Sequence, residues 1–152
     1  MTLLFDKLAR FYEKSGWEMK PVPGETILSI WYRGEKAEWD FIASSDEENK
    51  IITLFARAPK SCTPDKINVM SEFLERANFG MTHGAWVMDR NDGEIRYRVG
   101  VDVGKLEIND AFLEDLSLYT NLTMDYYVEA ILSIIKDNIL VQDAFNMVFP
   151  KN

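Results

Sequence analysis

Two side chains in this sequence could serve as a nucleophile or a general base, and each stands alone. His83 is the single histidine and Cys62 the single cysteine. An imidazole titrates near neutral pH and can move protons, but a catalytic histidine needs a positioned partner, and no linear signature supplies one. Flanked by Thr82 and Gly84 at the mouth of a hairpin, His83 reads as a solvated or hydrogen-bonded residue at a strand edge. Cys62 precedes the start of a helix, where the N-terminal dipole lowers a thiol pKa. With no signature around it, a small half-buried loop residue is the better reading. An enzyme using Cys62 or His83 therefore stands as a rival interpretation, not the leading one.

The acidic groups are better explained by turns than by metal. A calcium loop starting at Asp89 would put Gly93 at its fifth position, where a ligand belongs, and Gly100 at its twelfth, where a bidentate Glu belongs. Asp89, Asn91, Asp92 and Glu94 instead suit a hairpin turn, and Asp46, Glu47 and Glu48 a second solvated tip. One His and one Cys cannot build a structural zinc site in one chain. The glycine spacings Gly80–Gly84 and Gly100–Gly104 fit neither nucleotide fingerprint. We therefore expect no catalytic, cofactor-binding or metal-binding residues. Asn121-Leu122-Thr123 matches a glycosylation sequon, but Thr123 is better read as a helix cap.

The elements that carry these residues follow from periodicity and punctuation. Leu4, Leu8, Phe11 and Tyr12 share one face, giving a first amphipathic helix from Thr2 to about Ser15, ended by Gly16. Pro21, Pro23 and Gly24 hold an extended connection. Thr26–Arg33, Ala37–Ser44 and Lys50–Ala58 read as strands of an antiparallel meander joined by short polar turns. Thr63 as cap, Pro64 at the first helical position and Asp65 in the first turn open a second helix. Its apolar stripe is Ile67, Met70, Phe73, Leu74 and Ala77, and Asn78-Phe79-Gly80 closes it with a glycine able to take a positive φ. A hairpin over Met81–Val103 turns at Asn91-Asp92-Gly93. A helical region begins at Asn109, pauses near Thr120-Asn121 and restarts at Thr123, with Met124, Tyr127, Val128, Ile131 and Ile135 on one face. A short amphipathic piece, Ile139–Phe149, follows. The order α-βββ-α-ββ-αα predicts an α+β fold with an antiparallel sheet. No linker or low-complexity tract divides residues 1–152, so one domain is expected.

Composition limits the partners. The 152 residues are 47% hydrophobic and 28% charged, in keeping with a folded globular chain. Net charge is −8, and the basic set Arg90, Arg96, Arg98 and Lys105 is diluted by Asp89, Asp92, Glu94 and Asp102. That field opposes nucleic acid and anionic membranes. A single cysteine precludes an intrachain disulfide and favours a reducing compartment. There is neither a signal-peptide pattern at the start nor an uncharged apolar run of membrane-spanning length, so a cytoplasmic protein is expected. Trp31, Trp39, Trp86, Tyr126, Tyr127, Phe145, Met147 and Phe149 exceed what obvious core positions need, and aromatics and Met are enriched at interface centres.

Three short segments in order, Arg76-Ala77-Asn78-Phe79-Gly80, Asp92-Gly93-Glu94-Ile95-Arg96-Tyr97 and Leu122-Thr123-Met124-Asp125, resemble the YbjN-domain family over about residues 25–136. That family is described as candidate sensory-transduction regulators of bacteria, with a fold like the chaperones of type III secretion. The resemblance implies that fold; it carries over no catalytic residue. The similar secretion chaperones are acidic homodimers that hold an extended effector segment. Together these readings predict a cytoplasmic bacterial, non-enzymatic, homodimeric protein-interaction module, chaperone- or adaptor-like, whose helices cover one sheet face. Phe145, Met147 and Phe149 are the expected contacts to a partner subunit or a protein or peptide client. The alternative is a small-molecule sensor with a pocket between sheet and helices lined by Trp39, Trp86 and nearby tyrosines.

Overall fold

A computed structural model describes residues 3–150; Thr2, the expected start of the first helix, lies outside them. Helix α1 spans Leu4–Ser15 and ends at Gly16, whose φ of 75° is the left-handed stop foreseen for it. Six antiparallel strands follow in two groups: β1 (Lys20–Pro21), β2 (Ile27–Arg33), β3 (Glu38–Asp46) and β4 (Ile51–Arg57), then β5 (Ala85–Met88) and β6 (Ile95–Asp102). They form one sheet in the order β1-β2-β3-β4-β6-β5. Helix α2 (Ile67–Phe79) joins the groups, and α3 (Asp110–Lys136) and α4 (Val141–Val148) complete the chain. The predicted α+β class and element order hold.

Four details differ from the sequence reading. The Pro21 segment is not only a connection but a two-residue edge strand paired with Leu28 and Ser29. Thr63-Pro64 opens a single 3-10 turn, Pro64–Lys66, before α2, and the Thr63 side chain makes no cap bond. Gly80 closes α2 at φ −88°, in the right-handed region, so no positive φ is used there. The expected pause at Thr120-Asn121 is absent: α3 runs unbroken for 27 residues, about 40 Å.

Strand register shows which face the helices cover. Leu28, Ile30 and Tyr32 of β2 align with Ala43, Phe41 and Trp39 of β3. Leu54 and Ala56 of β4 continue those rows to Val99 and Tyr97 of β6 and to Trp86 of β5. Almost all of these side chains are buried, beneath α1, α2 and α3. The opposite face is not covered by these helices and mixes charged groups with Trp31, Ile42, Phe55 and Val87. There Arg57 bridges Asp40 and Glu94, Arg96 pairs with Glu94, and the Arg96 guanidinium lies 4.3 Å from the Phe55 ring centre.

The tight turn before β6 depends on glycine. Gly93 takes φ 78°, and a Cβ there would strike the backbone of Cys62, whose N–H donates to the Gly93 carbonyl at 2.8 Å. Turn and loop are thereby locked together at the far end of β5 from His83.

An aromatic groove at the hairpin end of the sheet

The polar centre of α3 makes the site possible. Ser117, Thr120 and Asn121 are fully buried on this helix, yet each is satisfied. Thr120 Oγ1 donates to the Leu116 carbonyl and Asn121 Nδ2 to the Ser117 carbonyl, four residues back. Asn121 Oδ1 accepts the Trp39 indole N–H at 2.9 Å, and the Ser117 hydroxyl meets the Tyr12 hydroxyl at 2.7 Å. The last two bonds tie the middle of α3 to the sheet through Trp39 and to α1 through Tyr12, and so fix which residues face outward.

What faces outward is unusual. Asp115, Leu118, Tyr119, Leu122, Tyr126 and Glu129 form one exposed stripe at three- and four-residue spacing. Leu122 is 62% and Tyr126 53% exposed, so large apolar side chains occupy the solvent side of a long helix. Isolated exposed apolar residues need no explanation, whereas a contiguous set marks a contact surface.

Beside this stripe lies a groove of about 850 Å³. One wall is the β2–β3 hairpin, Tyr32 to Lys36; another is the α2–β5 loop, Gly80 to Thr82; α3 and Phe149 supply the rest. The hairpin is held by Asp125, whose carboxylate accepts the backbone N–H groups of Glu35 and Lys36, both at 3.1 Å. Gly34 admits this close approach, because a Cβ there would run into the Trp39 ring and the Asp125 carboxylate. The α2–β5 loop is anchored at the β5 edge. Asn78 Nδ2 donates to the Trp86 carbonyl and Asn78 Oδ1 accepts the Trp86 N–H, an amide standing where a neighbouring strand would be.

Burial acts on the groove's phenols. Burial, with Tyr119 and Tyr126 close by, pushes the Tyr127 hydroxyl up to about 12. Burial, then the nearby Asp125 charge, raises Tyr32 above its ordinary value. Tyr97, next to the groove, is raised by burial and by Tyr119; its hydroxyl donates to the His83 carbonyl. These phenols therefore stay protonated at neutral pH and offer hydroxyl donors among apolar faces.

The sequence-nominated residues separate clearly. His83 is exposed and its ring stacks on Tyr119 at 4.7 Å, at the groove's edge. Cys62 is buried under Gly93, and burial raises its thiol pKa despite the adjacent helix start, so the lowering expected from a helix N-terminus does not win. The two lie at opposite ends of β5. Phe145 turns inward onto Phe73 at 5.3 Å and stacks with Phe149 at 5.8 Å. Phe149 reaches Tyr126 and Tyr127 and lines the groove, while Met147 remains largely exposed. Trp39 and Trp86 are core residues with almost no exposure and line no pocket of this groove, so the pocket expected around them is instead filled by packing. Leu118, Tyr119 and Leu122 went unnoticed in the sequence, although their spacing with Tyr126 was visible there. Among the described residues no three His, Cys, Asp or Glu side chains group to hold a metal ion, and no helix is long and apolar enough to cross a membrane.

No protein-family model matches the sequence, and no curated protein matches it. Solved structures do match in fold. The crystal structure of YbjN from E. coli, described as a candidate transcription regulator, superposes with a TM-score of 0.68 at 12% identity, over 86% of this chain and 95% of that one. The ExsC–ExsE complex matches with a TM-score of 0.51 at 13% identity, over 82% of this chain and 92% of that one. At such identities the likeness is one of fold. The chain therefore has the YbjN-like, type III secretion chaperone-like α+β fold that its sequence resemblance implied.

Proposed function

We propose that the chain is a non-enzymatic protein-interaction module, chaperone- or adaptor-like, that takes a segment of another protein into the groove beside α3. The observation that carries this is the exposed set Tyr119, Leu122 and Tyr126 lining a groove with further aromatics, with exposed Leu118 one turn before Leu122. Aromatic anchors set in a concave apolar surface are what concentrates binding energy at protein interfaces. The ExsC–ExsE complex, a protein pair built on this fold, supports the reading. Residues 1–152 act as one domain, in the bacterial cytoplasm, in signal regulation, and as a homodimer. In this reading Phe149 and Met147 touch the client directly, and Phe145 supports them through its stacking on Phe149.

Affinity capture from the host, with wild type beside the Leu122→Ser/Tyr126→Ser double variant, tests the assignment. A stoichiometric protein retained by wild type and lost by the variant is the expected result, with light scattering reading the mass of the free chain as a dimer. Equal capture by both would remove the groove from the account. Replacing Phe145 and Phe149 together by Ala should likewise weaken capture; unchanged binding and mass would dismiss the C-terminal contacts.

One observation favours a second reading. The groove's volume falls in the range of small-molecule sites. A sensor would show thermal stabilisation by some member of a metabolite panel, as linkage requires.

A further inference from the structure

The groove's charges name the chemistry of its partner. From Lys105 to Lys136 the sequence has no lysine or arginine, while it holds Glu107, Asp110, Glu114, Asp115, Asp125 and Glu129. On α3 the apolar row Leu118–Leu122–Tyr126 is bracketed by exposed Asp115 one turn before and Glu129 one turn after. The bases at the rim are already engaged: Arg33 pairs with Glu38 at 2.8 Å and Lys36 with Glu129 at a looser 3.8 Å. Glu35, Asp115 and Asp125 have no cationic partner among the described residues. Glu35 and Asp125 in the groove, and Asp115 on the exposed α3 stripe beside it, thus offer negative charge without a paired cation next to an apolar centre.

We propose that the groove's occupant is a basic amphipathic segment of another protein, with apolar anchors at helical spacing and lysine or arginine on its flanks. This inference rests on the groove being the protein-binding site and adds the partner's chemical class. Apolar anchors would fill the space between α3 and the Tyr32–Lys36 hairpin, flanking cations would meet Asp115 and Glu35, and one would compete with Lys36 for Glu129, whose 3.8 Å pairing is loose. A second copy of the chain fits this ridge poorly. A twofold axis at Leu122 with antiparallel helices would set Leu118 against Tyr126, which is favourable, but Asp115 against Glu129, which is not.

The test uses the whole chain and three labelled 18-residue peptides, read by fluorescence anisotropy. The first is leucine and lysine with leucines at three- and four-residue spacing. The second carries glutamate in place of lysine, and the third has the first's composition with its leucines scattered. Tightest binding of the first peptide is expected, weakening steeply with salt. Asp115→Asn with Glu129→Gln should weaken it about fivefold at low salt, and Leu122→Ser with Tyr126→Ser should abolish it. Asp6→Asn with Glu13→Gln, on exposed α1 positions, should leave it unchanged. Equal loss from the α1 pair would mean attraction to net charge alone and would overturn the proposal. Binding of the glutamate peptide, lost in the Leu122/Tyr126 variant, would keep the groove as a protein site and overturn the partner's charge. If no peptide responds to the Leu122/Tyr126 change, both the partner class and the underlying site fall.

Discussion

At the scale of single residues, Asn121 and Glu94 show how polar groups are made safe by distant partners. Thr120-Asn121 reads in the sequence as a break in a helix, because polar residues compete with helical backbone bonds. The partners that make it continuous, Trp39 and the carbonyls of Leu116 and Ser117, include one 82 positions away, which no local pattern reveals. Asn121→Ala leaves the Trp39 indole N–H buried without an acceptor. It should cost about 1–3 kcal/mol in urea unfolding and change the tryptophan emission. Glu94 is governed by opposing effects: burial would raise its carboxyl, but hydrogen bonds from Arg57 and Arg96 outweigh it and hold it below the ordinary value. A depressed folded-state pKa means that the unfolded chain takes up the proton first as pH falls. The ladder's stabilisation is therefore complete at pH 6–8 and drains away below about 4.5, the ordinary value of a glutamate. Thermal melts should show Glu94→Gln less stable than wild type at pH 7, with the gap closing toward pH 3. A constant gap would mean that the carboxylate charge does not matter.

At the scale of elements, periodicity and turn residues were readable and long-range supports were not. The strand boundaries, the Gly16 and Gly93 devices, the Asn109 start of α3 and the α2 stripe all follow from local rules. Asn109 indeed accepts the Phe112 N–H at 2.8 Å. Asn78 is a different case. Its place beside Phe79-Gly80 suggests a helix stop, but its amide instead occupies the free edge of β5, bonding both backbone groups of Trp86. An open strand edge invites pairing with other chains, and an amide placed there blocks it. Asn78→Ala should lower stability by about 1–3 kcal/mol and make the chain associate with rising concentration, seen by light scattering. A variant that is destabilised yet stays at constant mass would limit Asn78 to a structural bond.

At the scale of the whole molecule, the fold was legible and the binding surface only partly so. The aromatic surplus was evident, and Phe149 and Tyr126 do meet at the groove. Its walls, however, come from β2, the α2–β5 loop, α3 and the C-terminal residues, which only the tertiary fold brings together. Trp39 and Trp86 cannot be told from surface aromatics by composition, since burial is decided by the helices packed above them. The helices also leave two candidate faces: the aromatic groove, and the uncovered sheet with its Asp40–Arg57–Glu94–Arg96 ladder and exposed Trp31. Hydroxyl-radical footprinting of the chain, alone and with its captured partner, decides between them. Tyr126, Phe149 and Met81 should lose reactivity in the complex while Trp31, 57% exposed on the open sheet face, keeps its own. Protection of Trp31 with Tyr126 and Phe149 unchanged would place the partner on the sheet and contradict it.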